Sequence, residues 1–329
     1  MIELRHDQLI FRFPEVHDDA TVTIDFQRTL RIPDDDREYP LPAGLGQFPI
    51  RHVDDFAERV PEAWIEHGGV MLPMYQSEAL WINFNSWYPC AVKVTAGKIN
   101  AVTGEPYRPG LHRGPQDYAV VPQQPWLDGF CVSRGVIRQF VAMPLGAGYT
   151  AEEQITGAAE HGGLQIHVYP IKPAYYEERF IGAMMVGAPL ARSVISKSFG
   201  MGLAPGGRMR QEIFRDHRAL DVWDLDHGRR CFVHLANSLV WRALTNQDPP
   251  TTPFTARDYK RAHIPWFDYY AEGETALEGA GVLAKLKSVM QLGKEKGEVP
   301  LPENESVGPD RIIELRRGLR KGQVREGRF

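Results

Sequence analysis

Apolar and polar residues alternate with a period of two along most of this chain, and turn chemistry cuts the pattern at short intervals. Side chains two apart share a face only on extended backbone, so such runs fold as half-buried strands. Gln8-Leu9-Ile10-Phe11-Arg12-Phe13 and Thr21-Val22-Thr23-Ile24-Asp25-Phe26 are the first two, separated by Pro14 and an Asp18-Asp19 turn. Pro33-Asp34-Asp35-Asp36 and Pro40-Leu41-Pro42-Ala43-Gly44 interrupt the alternation, and residues 53–66 have room for one short helix. Strand patterns return at 70–75 and 79–84. Residues 91–94 and 99–102 flank Ala96-Gly97-Lys98 as a hairpin, and 130–132 and 136–143 flank Ser133-Arg134-Gly135 as another. A strand at 163–169 sets Gln165, His167 and Tyr169 on a face turned to water or to a site, with Leu164, Ile166 and Val168 facing the core.

Helical spacing is concentrated in the last third. Cys231, Leu235, Leu239 and Arg242 predict an amphipathic helix over 229–246 that stops before Asp248-Pro249-Pro250. Thr255-Ala256-Arg257-Asp258 opens a short helix and residues 284–292 form another. A long strand-rich part followed by helices predicts an α+β fold, a β-rich body with helices concentrated in the C-terminal third. The expected organisation is an N-terminal β subdomain at 1–60 packed against a main domain at 61–270. A linker, a short helix and a basic tail follow at 271–329. No internal repeat is evident.

At 329 residues with 24% charged side chains, the chain buries roughly three quarters of its unfolded surface and needs neither disulfides nor a metal to hold a core. The net charge of −4 argues against a nucleic-acid binder. Residues 311–329 alone carry +5, a tail suited to an acidic partner, anionic lipid or RNA, or simply solvated. Cys90, Cys131 and Cys231 form no Cys-x-x-Cys and close no disulfide framework, which fits reduced thiols in a cytoplasm. The uncharged, mostly apolar stretch at residues 180–191 is too short to span a bilayer.

Five segments carry a resemblance. They are Arg138-Gln139-Phe140-Val141-Ala142-Met143-Pro144-Leu145-Gly146-Ala147-Gly148-Tyr149-Thr150, Glu153-Gln154-Ile155-Thr156-Gly157, Gly162-Gly163-Leu164-Gln165, Gly202-Leu203-Ala204-Pro205-Gly206-Gly207-Arg208-Met209-Arg210-Gln211-Glu212, and Cys231-Phe232-Val233-His234-Leu235-Ala236-Asn237-Ser238. They resemble an uncharacterised family of bacterial and fungal proteins with no known activity. The likeness runs from about residue 70 to 297, and it implies no role for any residue.

Candidate chemistry clusters in a few places. Gly146 to Glu153 reads as a glycine turn entering a capping box, with Thr150 as N-cap and Glu153 at N3. Gly206, Gly207, Arg208 and Arg210 lie in a glycine-rich stretch that can form an anion nest; its alternative is a loop entering a helix at 209–214, with both arginines paired to local acids. Asp224, Asp226 and His227 offer an acid/base or divalent-ion cluster, although the spacing matches no EF-hand; Asp226 can instead cap the helix from Arg229, with Arg229 and Arg230 neutralising its neighbours. Cys231 and His234 share a face if 229–246 is helical, and His161 and His167 can reach His234 only through the fold. Trp81, Trp87-Tyr88, Pro125-Trp126 and the 265–270 segment supply aromatic rings for stacking or for the core. No metal set is complete, and no cofactor is indicated. The expected function is a binding or assembly protein lacking a complete catalytic constellation. The alternative is a hydrolase or lyase acting on an anionic small molecule, metal-assisted if the Asp224 cluster ligates an ion.

Overall fold

The computed structural model describes residues 1–35, 37–176, 200–271, 274–298 and 308–317. The uncharged 180–191 stretch and the tail beyond Arg317 lie outside the described residues. Among the described residues, no helix is long and apolar enough to cross a membrane.

The alternating segments build one large, mainly antiparallel sheet. Its longer strands are β1 (Ile2–Arg5), β2 (Gln8–Arg12), β3 (Thr21–Thr29), β4 (Val70–Met74), β5 (Ala79–Ser86) and β6 (Cys90–Ala96). They continue as β7 (Gly129–Ser133), β8 (Val136–Pro144), β9 (Leu164–Pro170), β10 (Gly200–Arg210) and β11 (Arg229–Asn237). The ladder runs β1–β2–β3–β5–β8–β10–β11–β9–β6, each neighbour antiparallel to the last. β4 adds to β11 in parallel. A second, small sheet joins β12 (Trp266–Ala271) to β13 (Ile312–Arg317), so the start of the basic tail is a strand. The fold is the β-rich α+β arrangement that the alternation implies. Both expected hairpins form, with Ala96 opposite Ile99 and Ser133 opposite Val136.

Helices are few and short: α1 (Glu62–His67), α2 (Ala151–Thr156), α3 (Ser238–Thr245), α4 (Ala256–Arg261), α5 (Gly281–Ala284) and α6 (Val289–Glu295). Four of the six follow residue 237. The capping box that opens α2 is present. Glu153 also reaches back to the Gly146 and Gly148 amides at 2.9 and 2.7 Å, so its own carboxylate fills that turn.

Three sequence expectations need correction. The single helix expected at 284–292 is split in two, because α5 ends at Ala284 and α6 starts at Val289 behind its Ser288 cap. The helix expected over 229–246 starts only at Ser238, because residues 229–237 are β11. Asn237 marks the switch: its side-chain oxygen accepts from the Leu239 and Val240 amides and ends the strand by capping α3. The glycine-rich stretch at 200–210 is neither a loop nor a helix entrance, and residues 209–214 form no helix. Glycine is used there for close packing. A Cβ at Gly206 would sit 2.6 Å from Val141 Cγ2, and one at Gly207 2.5 Å from the Pro33 carbonyl. Pro205 falls where the β8–β10 register shifts, a position that needs no ladder N–H.

One apolar core runs through this sheet from Leu9 to Leu286 and includes Phe11, Phe26, Phe130 and Phe140. Where strands part, buried glutamines take over their hydrogen bonds. Gln139, fully buried on β8, accepts from Ile32 N–H and donates to the Leu30 carbonyl. Gln116, Gln124 and Gln211 tie the 116–128 segment to 211–216 in the same way. A primary amide carries the donor and acceptor of a peptide group, so each side chain stands in for a missing strand residue.

Candidate functional site

The arginines singled out in the sequence are occupied. Arg208 pairs with Glu38 at 2.8 Å, and Arg210 meets Asp268 through two bonds of 3.0 Å. Gly206 and Gly207 are strand backbone, so the nest expected from Gly206, Gly207, Arg208 and Arg210 does not form. Asp224 closes a turn: one oxygen accepts from the Asp226 and His227 amides, and the other meets His227 Nδ1 at 2.9 Å. Asp226 has no helix to cap, since a strand begins at Arg229. No hydrogen bond or ion pair joins this turn to Arg208 or Arg210 among the described residues. Cys231 and His234, three apart on a strand, point to opposite faces. Burial raises the Cys231 thiol to about 12. Elsewhere, Asp216 is buried and saturated by Tyr118, Trp223 and Arg218, a structural carboxylate.

The register of β6, β9 and β11 assembles a different site. Lys93, His167 and Arg230 stand in one cross-strand row, and Thr95, Gln165 and Phe232 in the next. The two-face division at 163–169 holds, with Leu164, Ile166 and Val168 in the core, but the other face is largely covered: Gln165 is buried, Tyr169 joins the apolar core, and only His167 is partly exposed. The 104–118 loop folds over one end of this face. Lys93, 1% exposed, anchors it by pairing with Asp117 at 2.7 Å and donating to the Arg108 and Gly110 carbonyls. Tyr169 Oη accepts from Gly110 N–H at 3.1 Å and stands 3.0 Å from His167 Nδ1; Tyr107 Oη stands 3.1 Å from the same nitrogen. Burial, then the charges of Arg230 and Lys93, lower His167 to about 4, so its ring is neutral at pH 7.

Arg230 is exposed, yet it is held in place. Its guanidinium lies over the Phe232 ring at 5.0 Å and over the Tyr107 ring at 5.6 Å. No carboxylate pairs with it among the described residues, so its N–H edge stays open while cation–π contact fixes its faces. Phe232 carries the row onward. His67 stacks on it at 4.6 Å and 20°, and behind them Trp64 stacks on His234 at 4.6 Å. His234 bonds the Gly68 carbonyl at 3.0 Å; burial lowers it to about 4 against that bond. Beside His67, with ring centroids 5.6 Å apart, stands His161.

Two glycine turns make this crowding possible. His67-Gly68-Gly69 leads into β4 and His161-Gly162-Gly163 into β9, and these strands flank β11 on its two sides. All four glycines have positive φ. A Cβ at Gly69 would lie 2.2 Å from the Phe232 carbonyl, and one at Gly163 2.5 Å from the Val233 carbonyl. The sequence contains this signal, a His-Gly-Gly that occurs twice ahead of an apolar strand, but only the fold sets the two imidazoles side by side.

The fold and this face together define a β-rich α+β protein with a row of aromatic and imidazole rings on one sheet face and, among the described residues, a guanidinium there without a carboxylate partner. No family model, no curated protein and no solved structure matches the chain.

Proposed function

We propose that this protein binds a small anion bearing a flat apolar portion, with Arg230 holding the charge and Phe232 and His67 the flat face. The observation that carries this reading is Arg230 itself, an exposed guanidinium that lies over two aromatic rings and has no carboxylate partner among the described residues. An anion meets a fork of N–H donors whose orientation is already fixed, so little side-chain entropy is lost on binding. The neighbouring His167 is neutral, so the attraction comes from Arg230 and not from a diffuse basic surface. The role expected of Arg208 and Arg210 thereby passes to a third arginine on the next strand. The three cysteines are buried and unbridged, which supports a reducing compartment for this binding.

The test is calorimetric titration with benzoate and phenyl phosphate. Arg230→Gln is expected to weaken binding about tenfold or more, since a hydrogen bond to a charged group contributes roughly 1.5–3 kcal/mol. Arg208→Gln is expected to leave it unchanged. Equal affinity in wild type and Arg230→Gln would refute the assignment.

A further inference from the structure

Three carboxylate–imidazole pairs lie within 3.2 Å among the described residues, and their surroundings separate them. Asp117 with His112 also neutralises buried Lys93, and Asp224 with His227 closes an exposed turn. The third pair is Glu152 with His161. Glu152 is 2% exposed, accepts the Gly162 amide at 2.8 Å and meets His161 Nδ1 at 3.2 Å. No lysine or arginine pairs with it among the described residues. Packing leaves it no freedom, because a Cβ at Gly97 would touch its Oε2 at 2.3 Å. His161 is partly exposed, and its Nε2 has no protein partner among the described residues. The ring adjoins His67, which stacks on Phe232, over which Arg230 lies. A buried carboxylate that fixes one imidazole nitrogen and leaves the other open, beside the face proposed to bind an anion, is the arrangement of a general base.

We infer that the Glu152–His161 pair makes this face a hydrolytic site for carboxylic esters that carry a free anionic group. This rests on the anion-binding reading above. With the anionic end at Arg230, His161 Nε2 takes a proton from water as the water oxygen bonds to the ester carbonyl carbon. The tetrahedral adduct then breaks its C–O bond to the alcohol, and the proton on Nε2 passes to the departing alkoxide. The products are a carboxylic acid and an alcohol, and no metal or redox partner is needed. His161 is the catalytic residue. Glu152 is a positioning residue that fixes the tautomer and stabilises the imidazolium. The other titratable groups facing His161 are Glu160 beside it in the chain, itself paired with Lys98, and His67 from α1.

The probes are mono-4-nitrophenyl esters of straight-chain dicarboxylic acids of four to eight carbons, with neutral 4-nitrophenyl butyrate for comparison. Wild type is expected to turn over the anionic esters faster than the neutral one. His161→Asn is expected to lower kcat/KM roughly 100-fold or more. Glu152→Gln is expected to lower kcat with little change in KM, and Glu152→Asp to recover part of that loss. A purely structural Glu152 would lower folding stability without this split between kcat and KM. Arg230→Gln is expected to raise KM for the anionic esters alone. Turnover by His161→Asn at the wild-type rate overturns the inference. So does wild-type protein that binds phenyl phosphate yet hydrolyses none of the esters, a result that leaves the binding reading intact. Absence of both binding and turnover sinks both.

Discussion

At the scale of single residues, the buried polar groups decide where the chain is rigid. Gln139, Gln116, Gln124 and Gln211 act as peptide surrogates between segments that the ladder does not join. Asp128 shares the last of these bridges: it accepts from Gln211 Nε2 at 2.6 Å and is pushed by burial up to about 7. The unfolded chain ionises this carboxyl near 4, so the native state binds the extra proton between about pH 4 and 7. Its stabilising contribution is complete below pH 4 and is lost as the pH rises through 7. Asp128→Asn, which keeps the shape without the charge, is therefore expected to match wild type in urea unfolding near pH 4. Near pH 8 it should exceed wild type by roughly 3–4 kcal/mol, the linkage value of about three pKa units. A constant difference between the two proteins across that range would contradict the buried ionisation.

At the scale of elements, the informative contrasts are β10 and β11. The capping box at Thr150 and Glu153, both hairpins and the in/out division of 163–169 were legible because each is settled by neighbours in sequence. β10 was not. Glycine in strands is uncommon, and its use here answers Val141 and Pro33, which are distant in the chain. β11 was misread because Cys231, Leu235 and Leu239 satisfy a helical period while Phe232, Val233 and His234 satisfy a strand. The deciding residue is Asn237, whose cap stops one element and starts the next. Asn237→Ala is expected to cost about 1 kcal/mol, read from the urea midpoint, as α3 loses two capped amides. An unchanged midpoint would remove Asn237 from that role.

At the scale of the whole molecule, the sheet gathers residues that no local pattern connects. Lys93, His167 and Arg230 come from three strands and meet through register alone. His67 and His161 come from two turns separated by almost a hundred residues and meet because β4 and β9 flank the same strand. Of the site, only Gln165, His167 and Tyr169 could be assigned a face from sequence. In sequence Arg230 reads as a partner for nearby acids, and Glu152 lies inside the capping-box segment with no role of its own. The central claim is that this register creates an anion-binding face beside Phe232. The direct measurement follows the histidine ring resonances by nuclear magnetic resonance while phenyl phosphate is added. The rings of His67 and His161 are expected to shift with one saturating curve while His112 and His227 stay fixed. Movement at His227 with His67 and His161 unchanged would contradict the account and return the binding site to the Asp224 turn.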